Sequence, residues 1–402
     1  MEESKLKYRV LTSLLKLKRY CEVENFKGWD PYDGLNSKVF QFFPFKYWDI
    51  ARLIWIQAFK RSHINFRKLL LVPKMYNSKG IGLFLSGYCN LFELAKNGNN
   101  DFGTKEEILS KINELVDLLD QLKNTNFSGA CWGYNFPWQS RRLFLFPKDT
   151  PTVVATSFCV EALFKAYKIT KNENIKSLAL SSADFIMKDL NRTPHNSGFL
   201  FSYSPFKGND TVYNASLLGA KTLSLCYKFS GNELYKKTAK LAVAAACDGQ
   251  LNDGSWVYGL LKTQSWIDSF HTGYNLDAIK TYQDCTGDNE FQKNLDAGFN
   301  FYIKNFFEIE GVPKYYHNKK YPIDIHCPGQ LFVTLSKLDE FKKNKKLAQK
   351  VISWSIQKMQ SNKGYFYYQI KRFISSRISY MRWSNAFMFN AITYFLKENE
   401  KS

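Results

Sequence analysis

Two short stretches concentrate the residues able to move protons. Trp266-Ile267-Asp268-Ser269-Phe270-His271-Thr272-Gly273-Tyr274-Asn275 sets a carboxylate, an imidazole and a phenol close together, and Tyr321-Pro322-Ile323-Asp324-Ile325-His326 repeats the carboxylate and imidazole. Three of the five histidines lie in the first stretch or between Tyr315 and His326. Asp268, His271, Tyr274, Asp324 and His326 are therefore the candidate catalytic groups, working as general acids and bases. Carboxylates paired across a cavity would hydrolyse or transfer a glycosidic bond. A tyrosine with a histidine would instead remove a proton next to a uronate carboxyl, giving epimerisation or elimination. The competing structural role is plain, because Asp324 with His326 can simply cap a helix.

A second group suits a saccharide, since aromatic faces cover sugar C–H surfaces while amides, carboxylates and guanidinium bond hydroxyls and acids. It comprises Asp30 in Gly28-Trp29-Asp30-Pro31-Tyr32-Asp33-Gly34, and Trp132, Tyr134, Asn135, Trp138, Gln139 and Arg141 in the stretch that starts at Cys131. Asn214, Trp256, Tyr258 and Tyr315 complete it, with Arg141 placed to hold a sugar carboxylate. Here too a structural reading stands beside the functional one. Trp132 and Trp256 can pack between helices, and Asp30 and Asp33 can form a turn beside Pro31 and Gly34.

The elements that must position these residues repeat. Ala166–Glu173, Cys226–Glu233 and Tyr282–Asn289 share a helix stop joined to the cap of the next helix, with Thr170, Ser230 and Thr286 spaced 60 and 56 residues apart. A glycine leading into aromatics recurs at Gly133, Gly198, Gly254, Gly311 and Gly364, at intervals of 65, 56, 57 and 53. Six apolar helices follow the aromatic stretches, near 82–94, 155–167, 214–227, 271–282, 325–338 and 384–396. The third is apolar on every face, as a helix with neighbours all round must be.

Five striped helices with lysine-rich backs come after the turns, near 104–122, 174–189, 233–247, 290–305 and 343–358. The first opens with Thr104 and Glu107 as a capping box. The sixth outer place falls to the amino-terminal helix near 5–19, or to the one near 47–59. A period near 57 residues is too long for open helical solenoids. The pattern predicts an all-α (α/α)6 toroid in a single domain over residues 1–402, with 1–78 closing the ring. The short connections would lie on one rim and the long aromatic ones on the other, over the inner helix N-termini, where unpaired N–H groups favour an anionic or hydroxyl-rich ligand.

Composition bounds the partners. With 45% hydrophobic and 17% aromatic residues the chain can bury a core, which excludes disorder. Its net charge of +20 favours anionic partners without choosing among them, and no nucleic-acid motif is present. The eight cysteines are too scattered for a zinc site or a disulfide framework, so they read as small buried apolar residues, and neither metal nor cofactor is expected. The start, Met1-Glu2-Glu3-Ser4-Lys5, lacks a secretion-signal profile, which predicts a cytoplasmic protein, peripheral to the inner membrane where its charge recruits it.

At Trp132-Gly133-Tyr134-Asn135-Phe136, Phe270-His271-Thr272-Gly273-Tyr274-Asn275 and Tyr321-Pro322-Ile323-Asp324-Ile325-His326 the chain resembles bacterial polysaccharide-biosynthesis toroid proteins of the VpsJ type, in the six-hairpin glycosidase-like superfamily. The likeness runs from about Gly28 to Leu338 and implies the toroid and a place in cell-surface polysaccharide or lipopolysaccharide assembly. A fainter likeness to the helical domain of glucuronyl C5-epimerases rests on His271-Thr272 and Tyr315-Tyr316. Gln250-Leu251-Asn252-Asp253-Gly254-Ser255-Trp256 also resembles the QW repeat of triterpene cyclases, but the chain has neither a DxDD acid nor a DDxxD motif. The expected function is an acid–base carbohydrate-active enzyme resembling a glycosidase, lyase or epimerase. Its substrate would be an anionic or lipid-carrier-linked oligosaccharide, and glycosyltransferases of the pathway or the inner membrane surface would be its neighbours. The alternatives are a non-catalytic glycan-binding scaffold and an isoprenoid toroid.

Overall fold

The computed structural model describes residues 2–139 and 145–401. In chain order its α-helices are α1 (Glu2–Val23), α2 (Lys38–Phe42), α3 (Asp49–Arg61), α4 (Ser78–Lys96), α5 (Lys105–Leu122), α6 (Val153–Thr170) and α7 (Glu173–Asp184). They continue with α8 (Tyr213–Ser230), α9 (Glu233–Asp248), α10 (Ser269–Thr286), α11 (Gln292–Phe306), α12 (His326–Lys337), α13 (Lys345–Met359) and α14 (Phe387–Lys401). Helices α4, α6, α8, α10, α12 and α14 pack side by side in that order, and α14 returns to α4, so the inner ring closes. Each is backed by an outer helix, and α1 takes the sixth outer place against α13 and α14. The fold is an (α/α)6 toroid.

The repeated turn is built the same way three times. Lys171, Gly231 and Gly287 end α6, α8 and α10 in the left-handed conformation, and the hydroxyls of Thr170, Ser230 and Thr286 accept the backbone N–H two residues on. A tyrosine one turn earlier clamps the next helix start: Tyr167 donates to Glu173, Tyr227 to Glu233 and Tyr282 to Asp288.

The glycine repeat has a different purpose. A Cβ on Gly198 would collide with the Leu241 carbonyl of α9, on Gly254 with Ala297 of α11, and on Gly364 with Lys16 of α1. Each connector thus lies backbone to backbone on the following outer helix, and the last reaches the first. In the first unit this contact is made by Gly129 against Ser181 of α7, rather than by Gly133, which lies on the backbone of Asp149 and Thr150.

The connectors also carry small antiparallel pairings that the helical periodicity does not announce. These are β1 (Trp138–Gln139) with β2 (Leu145–Phe146), β3 (Arg192–His195) with β4 (Gly198–Phe201), and β5 (Ile323–Asp324) with β6 (Tyr367–Ile370) and β7 (Ser376–Ser379). The longest connector, residues 24–77 with α2 and α3, crosses the mouth, where Tyr32 meets Phe136 and Trp383. Seven of the eight cysteines are buried and none is in a disulfide. No helix among the described residues is long and apolar enough to cross a membrane.

Deep in the ring four helices share a closed set of charges. Lys221 on α8 bonds Glu161 of α6 at 2.6 Å and Asp277 of α10 at 2.7 Å, and Lys337 of α12 bonds Asp277 at 2.6 Å and also Glu161. Burial alone would push the Glu161 carboxyl up, but Lys221 and Lys337 outweigh it and hold it well below the ordinary range. A cavity of about 20 Å³ beside it, edged by Ser86, Phe158 and Gln330, has room for little more than a water.

Gly364→Ala is expected to lower unfolding stability by about 2–4 kcal/mol, from overpacking on Lys16 added to left-handed strain at φ +99°. Gly231→Ala at the α8 cap, φ +71° with no atom within 4 Å, should cost only about 1 kcal/mol. Urea midpoints read the difference, and equal losses would mean that the closing contact contributes nothing.

Candidate active site

Helix α10 begins with a carboxylate that serves two ends. Asp268, at the N-cap, accepts the His271 backbone N–H on Oδ1 at 3.0 Å, which starts the helix. Its Oδ2 takes the Trp266 indole N–H at 2.9 Å and meets His271 Nδ1 at 2.7 Å. This arrangement assigns the imidazole hydrogen to Nδ1 and leaves the Nε2 lone pair free. Nε2 bonds nothing among the described residues, and the side chain is 23% exposed at the mouth. Its ring lies 4.7 Å from that of Tyr258, which is stacked on Trp266 at 4.4 Å.

One turn deeper sits a second proton-bearing pair. Tyr274 OH and His326 Nε2 are 2.5 Å apart, both side chains buried, and Phe270 separates the two imidazoles with ring distances of 4.2 and 4.4 Å. Burial, with Lys79 and Arg382 nearby, holds the His326 pKa well below the ordinary histidine value. Lys79, buried on α4, contacts the Tyr274 hydroxyl at 3.4 Å and stands over the Phe158 ring at 4.1 Å. It has no carboxylate partner among the described residues, and burial together with the Arg382 charge holds its amine well below the lysine range.

The remaining carboxylates are engaged. Asp324 accepts Trp383 Nε1 at 2.9 Å, Gln369 Nε2 at 2.6 Å and the His326 backbone N–H at 2.9 Å, and burial raises its carboxyl to about 6. Asp30 forms a two-pronged pair with Arg382 at 2.6 and 2.8 Å, beneath the Tyr134 ring. Asp33, raised to about 6 by burial against the opposing Arg67, bonds that guanidinium at 2.7 Å and also accepts the Asp30 N–H. The Asp30–Arg382 pair pins the long connector to the turn Met381–Ala386 that leads into α14, while Arg67 and Asp33 tie the connector to itself.

The sugar-contact candidates divide by depth. Tyr134, Trp138, Tyr258 and Tyr315 are half-buried around the mouth, with Tyr134 and Tyr203 hydroxyls 3.4 Å apart. Asn135 accepts from Asn77 and edges a cleft of about 300 Å³ beside the mouth, lined also by Lys27, Lys74, Tyr76 and Lys148. Gln139 is buried and accepts from Arg52, and the buried Asn214 Oδ1 meets no partner among the described residues. Trp132 and Trp256 lie in the core, their indole N–H groups donating to Leu119 and Ala246 carbonyls, so they support the connectors rather than line the mouth. Arg141 lies outside the described residues.

Sequence reasoning passed over Lys79, Arg382, Trp383 and Tyr203. Lys79 and Arg382 stand where His271 stands, at the entry of an inner helix, and that position was the available signal. No group of three or more metal-ligating side chains occurs among the described residues.

No family model matches this sequence, and no curated protein matches it. Solved structures do. A heparin-specific unsaturated glucuronyl hydrolase is similar over 99% of this chain and 98% of its own, at 11% identity and a TM-score of 0.64. The GH76 α-mannanase BT2949 of Bacteroides thetaiotaomicron is similar over 81% and 86%, at 14% identity and 0.58. The cellobiose 2-epimerase of Bacillus thermoamylovorans B4167 matches over 81% and 90%, at 13% identity and 0.59. At such identities the likeness is one of fold, the (α/α)6 toroid, with no transfer of residue roles.

His326 gives the toroid core a pH signature. The unfolded chain protonates it near 6.5 while the folded state keeps it neutral, so stability is lost as pH falls below 6.5. Asp324 runs the other way: the folded state holds a proton up to about 6 that the unfolded chain releases near 3.8, so its contribution falls as pH rises between those values. The difference between the wild type and His326→Gln isolates the histidine, at about 2 kcal/mol between pH 7.5 and 5. Parallel urea midpoints across that range would remove the assignment.

Proposed function

We propose that this toroid is a carbohydrate-active enzyme that removes a proton from a sugar carbon next to a carboxyl or carbonyl group, leading to epimerisation or elimination. One observation carries the reading. His271 presents a free Nε2 to an aromatic mouth while Asp268 orients its other nitrogen, whereas Asp30, Asp268 and Asp324 all have their oxygens engaged. Hydrolysis needs two available carboxyl groups flanking a glycosidic bond, and this geometry offers none in that state.

His271 Nε2 would take the proton, with the Asp268 carboxylate beside the imidazolium that forms. Tyr258, Tyr134 and Tyr315 would cover the sugar faces, and Lys27 and Lys148 in the adjoining cleft favour an acidic sugar, Lys74 there being paired with Glu24 and Asp149 standing 3.9 Å from Lys148. The imidazolium would then return the proton to the sugar carbon or pass it to the leaving oxygen, above the buried Tyr274–His326 pair. Three sugar-processing enzymes sharing the fold support the substrate class. Within this proposal the glycan is anionic or lipid-carrier-linked and belongs to cell-surface polysaccharide assembly of the VpsJ kind.

The test is solvent exchange. Uronate-containing and reducing oligosaccharides incubated in deuterium oxide with wild-type protein should either gain deuterium at one sugar carbon, as epimerisation requires, or yield an unsaturated uronate with a new reducing end, as elimination requires, both read by NMR. His271→Asn should slow this by roughly 10²–10⁴-fold with an unchanged melting temperature. Release of reducing ends with neither exchange nor an unsaturated uronate product would establish hydrolysis instead, and glycan binding with no turnover would establish the scaffold.

A further inference from the structure

One face of the molecule exposes what the rest conceals. Phe42, Leu69 and Phe373 are 84%, 75% and 87% exposed, and Tyr47, Trp48 and Ile54 stand in solvent with them. The segments that carry them are fastened together. The Lys38 N–H donates to the Leu71 carbonyl, Arg52 to that of Lys46, and Lys371 Nζ, at the β6–β7 tip, to that of Arg61. The rings of Phe42, Phe43, Phe45 and Trp48 touch in sequence. Helix α3 turns Ile56 and Phe59 inward yet lays Ile50, Ile54 and Ala58, four residues apart, along its outer side. A contiguous apolar face of this kind marks an interaction surface.

Charge identifies the partner. Residues 37–76 hold eight Lys and Arg against one acid, Asp49; with Arg52 paired to that acid, Arg67 buried against Asp33 and Lys74 paired with Glu24, Lys38, Lys46, Lys60, Arg61 and Lys68 are left without a carboxylate among the described residues. No acid occurs between Glu340 and Glu398, a span that includes Lys371, Arg372 and Arg377 around the exposed hairpin tip. A two-fold contact with a second copy would set this cationic face against itself. An anionic bilayer meets both features, since aliphatic and aromatic side chains enter the acyl boundary while lysine and arginine reach the phosphates.

We propose that α2, α3, the chain from 62 to 72 and the β6–β7 tip form a docking surface for an anionic phospholipid membrane. The surface adjoins the mouth, because Lys60 of α3 donates to the Tyr32 hydroxyl that overhangs it. It stands independently of the reaction proposed above.

The experiment is co-sedimentation of the full chain with phosphatidylcholine vesicles with and without phosphatidylglycerol, at low and high salt. The wild type should partition about tenfold more strongly to the anionic vesicles and keep part of that binding in high salt through its inserted side chains. The triple variant Trp48→Ser/Ile54→Ser/Phe373→Ser, with wild-type melting, should lose about tenfold or more and become fully salt-sensitive. Lys68→Glu/Arg372→Glu should abolish the preference for phosphatidylglycerol. Unchanged binding by the triple variant overturns the proposal. So does a wild type that ignores vesicles, and one that sizes as a dimer which the triple variant splits assigns the face to self-association instead.

Discussion

The backbone of Gly364 lies against the carbonyl of Lys16, and this meeting of the last connector with the first helix turns a row of hairpins into a ring. The connectors at Gly129, Gly198, Gly254 and Gly311 make the same approach to the outer helices α7, α9, α11 and α13, so they are held at fixed distances from the helices on which they rest. An open row would leave α4 and α14 each with a bare apolar side, whereas closure buries both. It also sends six helix N-termini to one rim. The mouth is a consequence of closure, since no other arrangement brings Asp268, Tyr134, Lys79 and Arg382 from separate units to a common space.

Two polar systems then hold the ring from opposite ends. The four-membered set of Glu161, Lys221, Asp277 and Lys337 ties α6, α8, α10 and α12 near the axis, and losing one partner would strand a buried charge at a cost of about 3–5 kcal/mol. At the mouth, Arg382 with Asp30 holds the 24–77 connector down, and Arg67 with Asp33 closes that connector on itself. These pairs fix the angle at which Tyr32 overhangs the aromatic rim. They also explain why α2 and α3 can expose so many apolar side chains while the connector stays in place.

Much of this was legible in the chain. Thr170, Ser230 and Thr286 announced the hairpin turn because its geometry is local: a hydroxyl, a left-handed residue and a cap within four positions. The inner helices were legible because burial on all sides leaves no polar stripe, as in α8. Gly133 misled because a glycine beside aromatics serves two different approaches, and only the packing of Gly129 on Ser181 separates them. Lys79 and Arg382 were hidden for a related reason. A lysine at a helix start reads as solvated unless the ring around it is known, and the ring is made by residues hundreds of positions away.

The two carboxylate–histidine motifs show how spacing divides a shared chemistry. Asp268 and His271 stand three apart, which folds the imidazole back over the cap, so that one oxygen starts the helix and the other orients the ring. The structural and functional readings of Asp268 are therefore both true at once. Asp324 and His326 stand two apart, so the carboxylate receives the backbone N–H while the ring swings inward to Tyr274 and Phe387. With Trp383 and Gln369 taking its remaining lone pairs, Asp324 is consumed in positioning the connectors. One residue of spacing thus separates an imidazole presented to the mouth from one sealed beneath it, and that difference leads from a pair of similar motifs to a single exposed base.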